Sequence, residues 1–188
     1  GFGLLQRLRD PLAYQDDDKL FERRPSLWIE PIGDWAEGAV QLLEIPSTNE
    51  TNPNILAYWR PKAQIAAGSQ TSFALRQFWT WSAPDRPDDA TIQLTRTGHG
   101  SVQDRRRFLV EFSSSKFVDQ AAIAGISAAA STSKGKILDV RLVPHLERKS
   151  LRVTFELDPA GEPLCELHLV LMENGKTASE TWLYRWTS

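Results

Sequence analysis

Apolar and polar residues alternate along much of this chain with a period of two. "LRVTFELDP" sets Leu151, Val153, Phe155 and Leu157 on one side and Arg152, Thr154 and Glu156 on the other. That is the signature of a half-buried strand, because successive side chains leave a pleated backbone on opposite faces. "TIQLTRTG" opposes Ile92 and Leu94 to Thr91, Gln93 and Thr95, and "TSFALRQFWTWS" aligns Phe73, Leu75, Gln77, Trp79 and Trp81. "RRFLVEF", "LCELHLVLME" and "SETWLYRW" read the same way. In "KILDVRLVPH" the apolar positions are Ile137, Val140 and Leu142, and the slip in period marks a bulge. "DPAGEP" and "ENGK" are turns, and Asn174-Gly175 is a strong hairpin signal. About seven strands between residues 71 and 188 predict an immunoglobulin-like β-sandwich. Its expected core includes Trp79, Leu94, Phe108, Val153, Phe155, Leu169 and Trp182.

The first third is less regular. "GFGLLQRL", "SLWIEP", "GAVQLLEIP" and "NILAYWRP" are strand-like. The polar stretch "RDPLAYQDDDKLFERRP" reads as a loop with one helical turn, and "STNETNPN" as a turn by composition. Strands joined by loops this long do not close a sandwich by themselves and need partners from outside the chain. "RPKAQIAAGSQ" ends a strand at Pro61 and loosens at Gly68 and Ser69. The expected organisation is a partial β-domain over residues 1–60, a linker over 61–70 and a sandwich over 71–188, all of it β.

Composition narrows the function classes. The 188 residues carry a net charge of -2, with 41% hydrophobic and 10% aromatic residues. Charge this balanced gives no field for nucleic acid or an anionic membrane, and neither is an expected partner. Cys165 stands alone, so neither an internal disulfide nor a cysteine-rich metal site is expected. The apolar run "AAIAGISAAAS" is too short to cross a bilayer and reads as a buried or loosely packed segment. The chain opens "GFGLLQRLRD", without an initiator Met or a basic-then-apolar leader, which predicts that it starts inside a larger protein.

Several chemistries lack their residues. His99, His145 and His168 do not have metal-ligand spacing, and no metal or cofactor is expected. No serine lies in a G-x-S-x-G elbow. "TGHGS" lacks the lysine and the helix of a phosphate-binding loop, and "DRRRF" is one short basic run on a strand. What concentrates in the first third is carboxylates and aromatics. Asp16, Asp17, Asp18, Glu22, Glu30, Asp34, Glu37 and Glu44 share it with Tyr14, Trp28, Trp35, Tyr58 and Trp59. Aromatic faces stack on pyranose rings and carboxylates bind hydroxyls, while paired acids perform glycosidic chemistry. Acid-rich loops and core tryptophans are the plain alternative.

"GFGLLQR", "YQD", "ERRPSLWIEP", "GDW", "QLLEIP" and "ETNPNILAYW" occur here in order, followed by "RRFLVEF" and the terminal "SETWLYRW". Together they resemble the C-terminal part of the periplasmic glucan biosynthesis proteins G and D of Gram-negative bacteria. The resemblance covers essentially the whole chain, most specifically from Glu22 to Pro46. The family often has an acidic or polar residue at the position of Leu8 and "ETNDN" around Pro53, departures that leave the subtype, G or D, open.

The resemblance implies a mutarotase-like β-supersandwich, of which residues 1–60 are the C-terminal part, followed by the immunoglobulin-like domain. It implies a periplasmic protein acting on β-1,2-glucan, by hydrolysis or glycosyl transfer, with the upstream part of the same protein as partner. The alternative is a non-catalytic glucan-binding or scaffold protein that assists synthesis. An aspartate of the family acts as general acid, and the base lies upstream. Asp34, in "GDW", is the better match for the acid, and Asp16, in "YQD", competes. Tyr14, Arg24, Trp28 and Trp35 are the expected substrate-binding residues. A general acid must hold its proton near neutral pH. Trp28 and Trp35 are expected to supply an apolar wall for this and Glu30 a like charge, while Gly33 tightens the turn.

Overall fold

The computed structural model describes residues 1–14, 18–47, 54–81 and 89–188. It is an all-β chain that divides into two units, Gly1–Arg86 and Pro87–Ser188. The first unit contains β1 (Phe2–Leu4), β2 (Ser26–Ile32), β3 (Gly38–Glu44), β4 (Ile55–Pro61) and β5 (Ala74–Thr80). β2 is central to one antiparallel sheet, with β1 on one side and β5 on the other. β3 and β4 form a separate antiparallel pair. The polar stretch before β2 contributes two single-turn 3-10 segments, Pro11–Ala13 and Phe21–Arg23. The first starts under an Asp10 cap, whose side chain accepts from the Leu12 N–H.

The second unit contains β6 (Thr91–His99), β7 (Arg106–Ser113), β8 (Ile126–Thr132), β9 (Lys136–His145), β10 (Ser150–Asp158), β11 (Leu164–Glu173), β12 (Lys176–Thr177) and β13 (Trp182–Thr187). One sheet runs β6-β7-β10-β9, and in the other β11 pairs with β8, β12 and β13. All of these ladders are antiparallel. The alternation seen in the sequence aims one side of each sheet inward. Phe108, Val110 and Phe112 from β7, Leu151, Val153, Phe155 and Leu157 from β10, and Cys165, Leu167, Leu169 and Leu171 from β11 form one buried core. Phe108 stacks on Phe155 at 5.2 Å, and Trp182 from the facing sheet meets both edge-on, at 5.9 and 5.8 Å. These rings join the two sheets across the interior.

Several expectations change. The strand over 73–81 lies in the first unit, where β5 pairs with β2. The division between units therefore falls after Arg86 and not within 61–70. Trp79, expected in the sandwich core, is 66% exposed, and Leu94 is only half-buried. Period-two alternation places residues on a face but does not say which sheet the strand joins. The segment "AAIAGISAAAS" becomes a short helical turn, Gln120–Ile123, and then β8. Alanine is a weak strand former, and pairing along β11 outweighs that preference. Asn174 and Gly175 both take positive φ, 50° and 78°, as the β11–β12 hairpin requires. Asp139 and Val140 stand opposite Phe155 alone, with Asp139 at φ 53°, so the expected bulge is present in β9. "DPAGEP" also turns, but it carries the chain from β10 in one sheet to β11 in the other.

The first unit has a different interior. Among its described residues Ser26 alone is buried, and no apolar side chain is. Val40 and Leu42 lie on one face of the β3–β4 pair, Leu43, Leu56 and Tyr58 on the other, and all five are 42–55% exposed. Apolar surface on both faces is a sheet with neither side covered, which is unusual for a strand pair standing in water.

The outward face of β7 and β10 holds two buried carboxylates. Glu111 accepts from Arg152 Nε at 2.7 Å and from Ser150 Oγ at 3.0 Å. Glu156 accepts from the Ser101 N–H and Oγ at 2.8 and 2.7 Å and from Arg107 Nη2 at 2.7 Å. The hydrogen bond from Arg152, against the opposing effect of burial, holds Glu111 below the usual carboxylate range. Bonds from Ser101 and then Arg107 do the same for Glu156.

Phe155→Ala removes the central ring of the core and should cost about 3–5 kcal/mol in denaturant unfolding of this unit. A carboxylate with a depressed folded pKa stabilises fully above its unfolded value and stops doing so as pH falls through the folded one. The unfolding temperature should therefore hold from neutral pH to about pH 5 and drop below about pH 4. In Glu156→Gln the plateau should lie lower and the acid-side drop should shrink, which calorimetry at several pH values will check.

Candidate functional site

The turn between β2 and β3 is built by two backbone exceptions. Gly33 has φ 76° and Ala36 φ 59°. Glycine adopts the left-handed region freely, and Ala36 is held there by Asp34, whose Oδ1 accepts from the Ala36 N–H at 2.7 Å. Asp34 is exposed. Trp35 is half-buried and donates from Nε1 to the Ala74 carbonyl of β5 at 3.0 Å. Its ring meets Phe73 at 5.3 Å and Trp59 of β4 at 6.1 Å, both edge-on. Thus the turn is fastened to both sheets of the first unit.

Gly38 lets Trp59 lie down. A Cβ at Gly38 would stand 2.5 Å from the Trp59 ring and 2.5 Å from the Arg60 carbonyl. A cleft of about 640 Å³ starts at Ala36, two residues from Asp34, and is lined by Glu37, Gly38, Trp59, Arg60 and Lys62 among others. Lys62 closes one wall, donating from Nζ to Glu37 at 2.7 Å. The Trp59 Nε1–H is buried without an acceptor among the described residues. An indole, a carboxylate and two cations can hold a polyhydroxyl ligand, and a carboxyl on the neighbouring turn can deliver a proton to it.

The other sequence-predicted residues fall in different places. Tyr14 packs on Phe21 at 5.7 Å and donates from its hydroxyl to the Leu8 carbonyl at 2.8 Å. Arg24 lies over the same Phe21 ring at 4.6 Å. Tyr14 and Arg24 thus share one aromatic cluster before β2, while Asp34 and Trp35 belong to the turn after it. Trp28 sits mid-strand, with its indole on Gly1, where an added Cβ would come within 2.6 Å of it. Glu30 is bound across the sheet by Arg76 at 2.9 Å, so its charge is matched and not left to act on a neighbouring acid. Asp16 lies outside the described residues. Trp59, Phe73 and Gly38 are missing from the set chosen by sequence. Only the Gly-Ala pair opening β3 hints at the close ring contact there.

Other chemistries find no place among the described residues. There is no group of His, Cys, Asp and Glu able to hold a metal. Cys165 is buried, and burial raises its thiol pKa, which keeps it protonated and a poor nucleophile. No helix is long and apolar enough to cross a membrane.

The family model for the periplasmic glucan biosynthesis protein MdoG matches residues 1–186. The chain belongs to that family. Glucans biosynthesis protein G of Bradyrhizobium diazoefficiens is 42% identical over 190 residues, covering all of this chain and 37% of the relative. Glucans biosynthesis protein D 1 of Ralstonia nicotianae is 40% identical over 194 residues, covering all of this chain and 36% of the relative. A protein G from a Shewanella species is 39% identical over 191 residues, again across the whole chain and 34% of the relative. The chain thus spans about a third of the length of these relatives. The MdoG family carries a periplasmic glucan biosynthesis name, and G and D relatives match at similar identity.

Gly38→Ala should push the Trp59 ring off β3 and break its edge contact with Trp35. The near-ultraviolet circular dichroism from that indole pair should fall, while the second unit keeps its unfolding transition.

Proposed function

We propose that this chain forms part of a periplasmic protein that processes β-1,2-glucan by hydrolysis or glycosyl transfer, with Asp34 as general acid. The observation that carries this reading is an exposed carboxylate on a tight turn, next in sequence to Trp35, whose ring meets Trp59 of the cleft wall. The family name supplies the glucan. A pyranose stacked on an indole would bring its glycosidic oxygen toward the turn, and Asp34 would protonate it as the bond breaks. Trp35 serves as an apolar wall and substrate platform, and Tyr14, Arg24 and Trp28 bind more distant sugar units. The base is supplied by the upstream polypeptide of the whole protein. That polypeptide also covers the apolar faces of the first unit, a reading supported by their exposure and by the length of the relatives.

One observation favours the non-catalytic reading. Asp34 Oδ1 already holds the Ala36 N–H, so the carboxylate has a structural task in the turn. In that case the protein binds glucan and assists its synthesis without cutting or transferring it.

Asp34→Asn in the whole protein separates the two. Asn keeps the acceptor for Ala36 but cannot deliver a proton. Chain-length analysis of linear β-1,2-glucan should show turnover reduced by about 10²–10⁴-fold with binding retained. Asp16→Asn, made alongside, should stay active. If Asp16→Asn abolishes turnover and Asp34→Asn does not, the acid is misplaced and the turn is structural. An unmodified whole protein that binds the glucan and never alters its length supports the scaffold reading.

A further inference from the structure

A second cleft, of about 690 Å³, lies wholly in the second unit. Three pieces of chain form it. They are the β6–β7 hairpin loop, the β10–β11 connection and the end of β13. Its walls are fixed. The buried Glu156 carboxylate grips the loop through the Ser101 N–H and hydroxyl, and the Gly100 N–H closes onto the Arg105 carbonyl at 2.9 Å. On the far side the Glu162 N–H donates to the Pro159 carbonyl, and Ser188 N–H to that of Pro163. Gly161, at φ 83°, permits that turn.

Of the charges lining the cleft, Arg105 and Glu162 are matched by neighbours, and Asp104 and Arg106 are of opposite sign and add no net charge. Arg105 stands 3.9 Å from Glu156 and 3.6 Å from Asp158, and Lys134 holds Glu162 at 2.7 Å. A strong field for an ionic ligand is therefore absent. What remains is hydrogen-bonding capacity and one apolar plate. Arg106 Nη1 lies 3.3 Å from His99 Nδ1, which leaves Nε2 of the same ring for a ligand. Trp186 packs partly on the core and partly lines the cleft. A cleft with one indole, an imidazole and an arginine fits a neutral polyhydroxyl ring with an apolar face.

We propose that this cleft of the second unit is an accessory sugar-binding site that holds a neutral glucan chain without cleaving it. Trp186 stacks on one glucosyl ring, and His99 and Arg106 donate to its hydroxyls. Two carboxylates line the cleft, Asp104 and Glu162, and Lys134 holds Glu162, which leaves no pair of free acids there for glycosidic chemistry. The glucan as ligand rests on the function proposed above.

The test uses the whole protein carrying Asp34→Asn, so that the glucan persists, with long linear β-1,2-glucan as the probe. Hydrogen-exchange mass spectrometry should show protection around residues 99–106, 159–163 and 184–188 in addition to the region of Trp35 and Trp59. Arg106→Ala, at a residue outside the core, should weaken binding about three- to tenfold. It should remove the protection at the second cleft and leave that near Trp35. In an otherwise unmodified protein Arg106→Ala should raise KM for long chains while kcat is unchanged. Trp186→Tyr, which keeps a ring on the core, should weaken binding less than Arg106→Ala combined with His99→Ala. Protection confined to the Trp35 region overturns this inference and leaves the proposed function intact. Protection nowhere overturns both.

Discussion

Phe108, Phe155 and Trp182 meet where the two sheets of the second unit face each other, and the unit is arranged around keeping that contact dry. The rings come from three strands far apart in sequence, so the contact exists only when both sheets are assembled. Apolar side chains from β7, β10 and β11 fill the space around it and are essentially without exposure. Burying each large ring contributes about 1.5–3 kcal/mol, which outweighs any single surface pair. The outward side of the same strands carries the cost. Glu111 and Glu156 are buried there and are tolerated because arginines and serines satisfy their oxygens. Glu156 then has a second consequence, since it also holds the loop that walls the cleft beside Trp186.

The first unit obeys the opposite condition. It has pairing without an interior. β1, β2 and β5 satisfy one another's backbones, and β3 and β4 do the same, yet the apolar side chains on both faces of the β3–β4 pair remain exposed. The aromatic contact of Trp35 with Trp59 and Phe73 ties the turn at Asp34 to both sheets. Asp34 shares that turn, with its Oδ1 on the Ala36 N–H. In the proposed function the first unit provides the reacting group and the second a stable unit that holds the chain. That division suits a polymeric substrate, because a long glucan can be gripped at one place and altered at another.

The residue alternation in 91–187 made the sandwich legible without a structure. It identified Phe108, Val153, Phe155, Leu169 and Trp182 as core, located the Asn174-Gly175 hairpin and found the bulge in β9. Each of these follows from local rules of the pleat and of backbone dihedral angles. The family, too, could be read from the ordered motifs. β8 was not legible because its side chains are mostly small, alanine and serine, and small residues give little apolar contrast.

Tertiary structure decided the rest. That Trp79 is exposed and that β5 belongs with β2 are facts of pairing, which alternation cannot assign. The neutralisation of Glu30 by Arg76 joins residues 46 positions apart, and no local pattern announces it. Trp59 reaches Trp35 only because β4 runs beside β3 and Gly38 leaves the room. The sequence by itself determined which residues share a face of each strand and which family the chain belongs to, because both are written in local order. Which carboxylates are matched, which aromatics meet and where the clefts open depended on distant strands coming side by side.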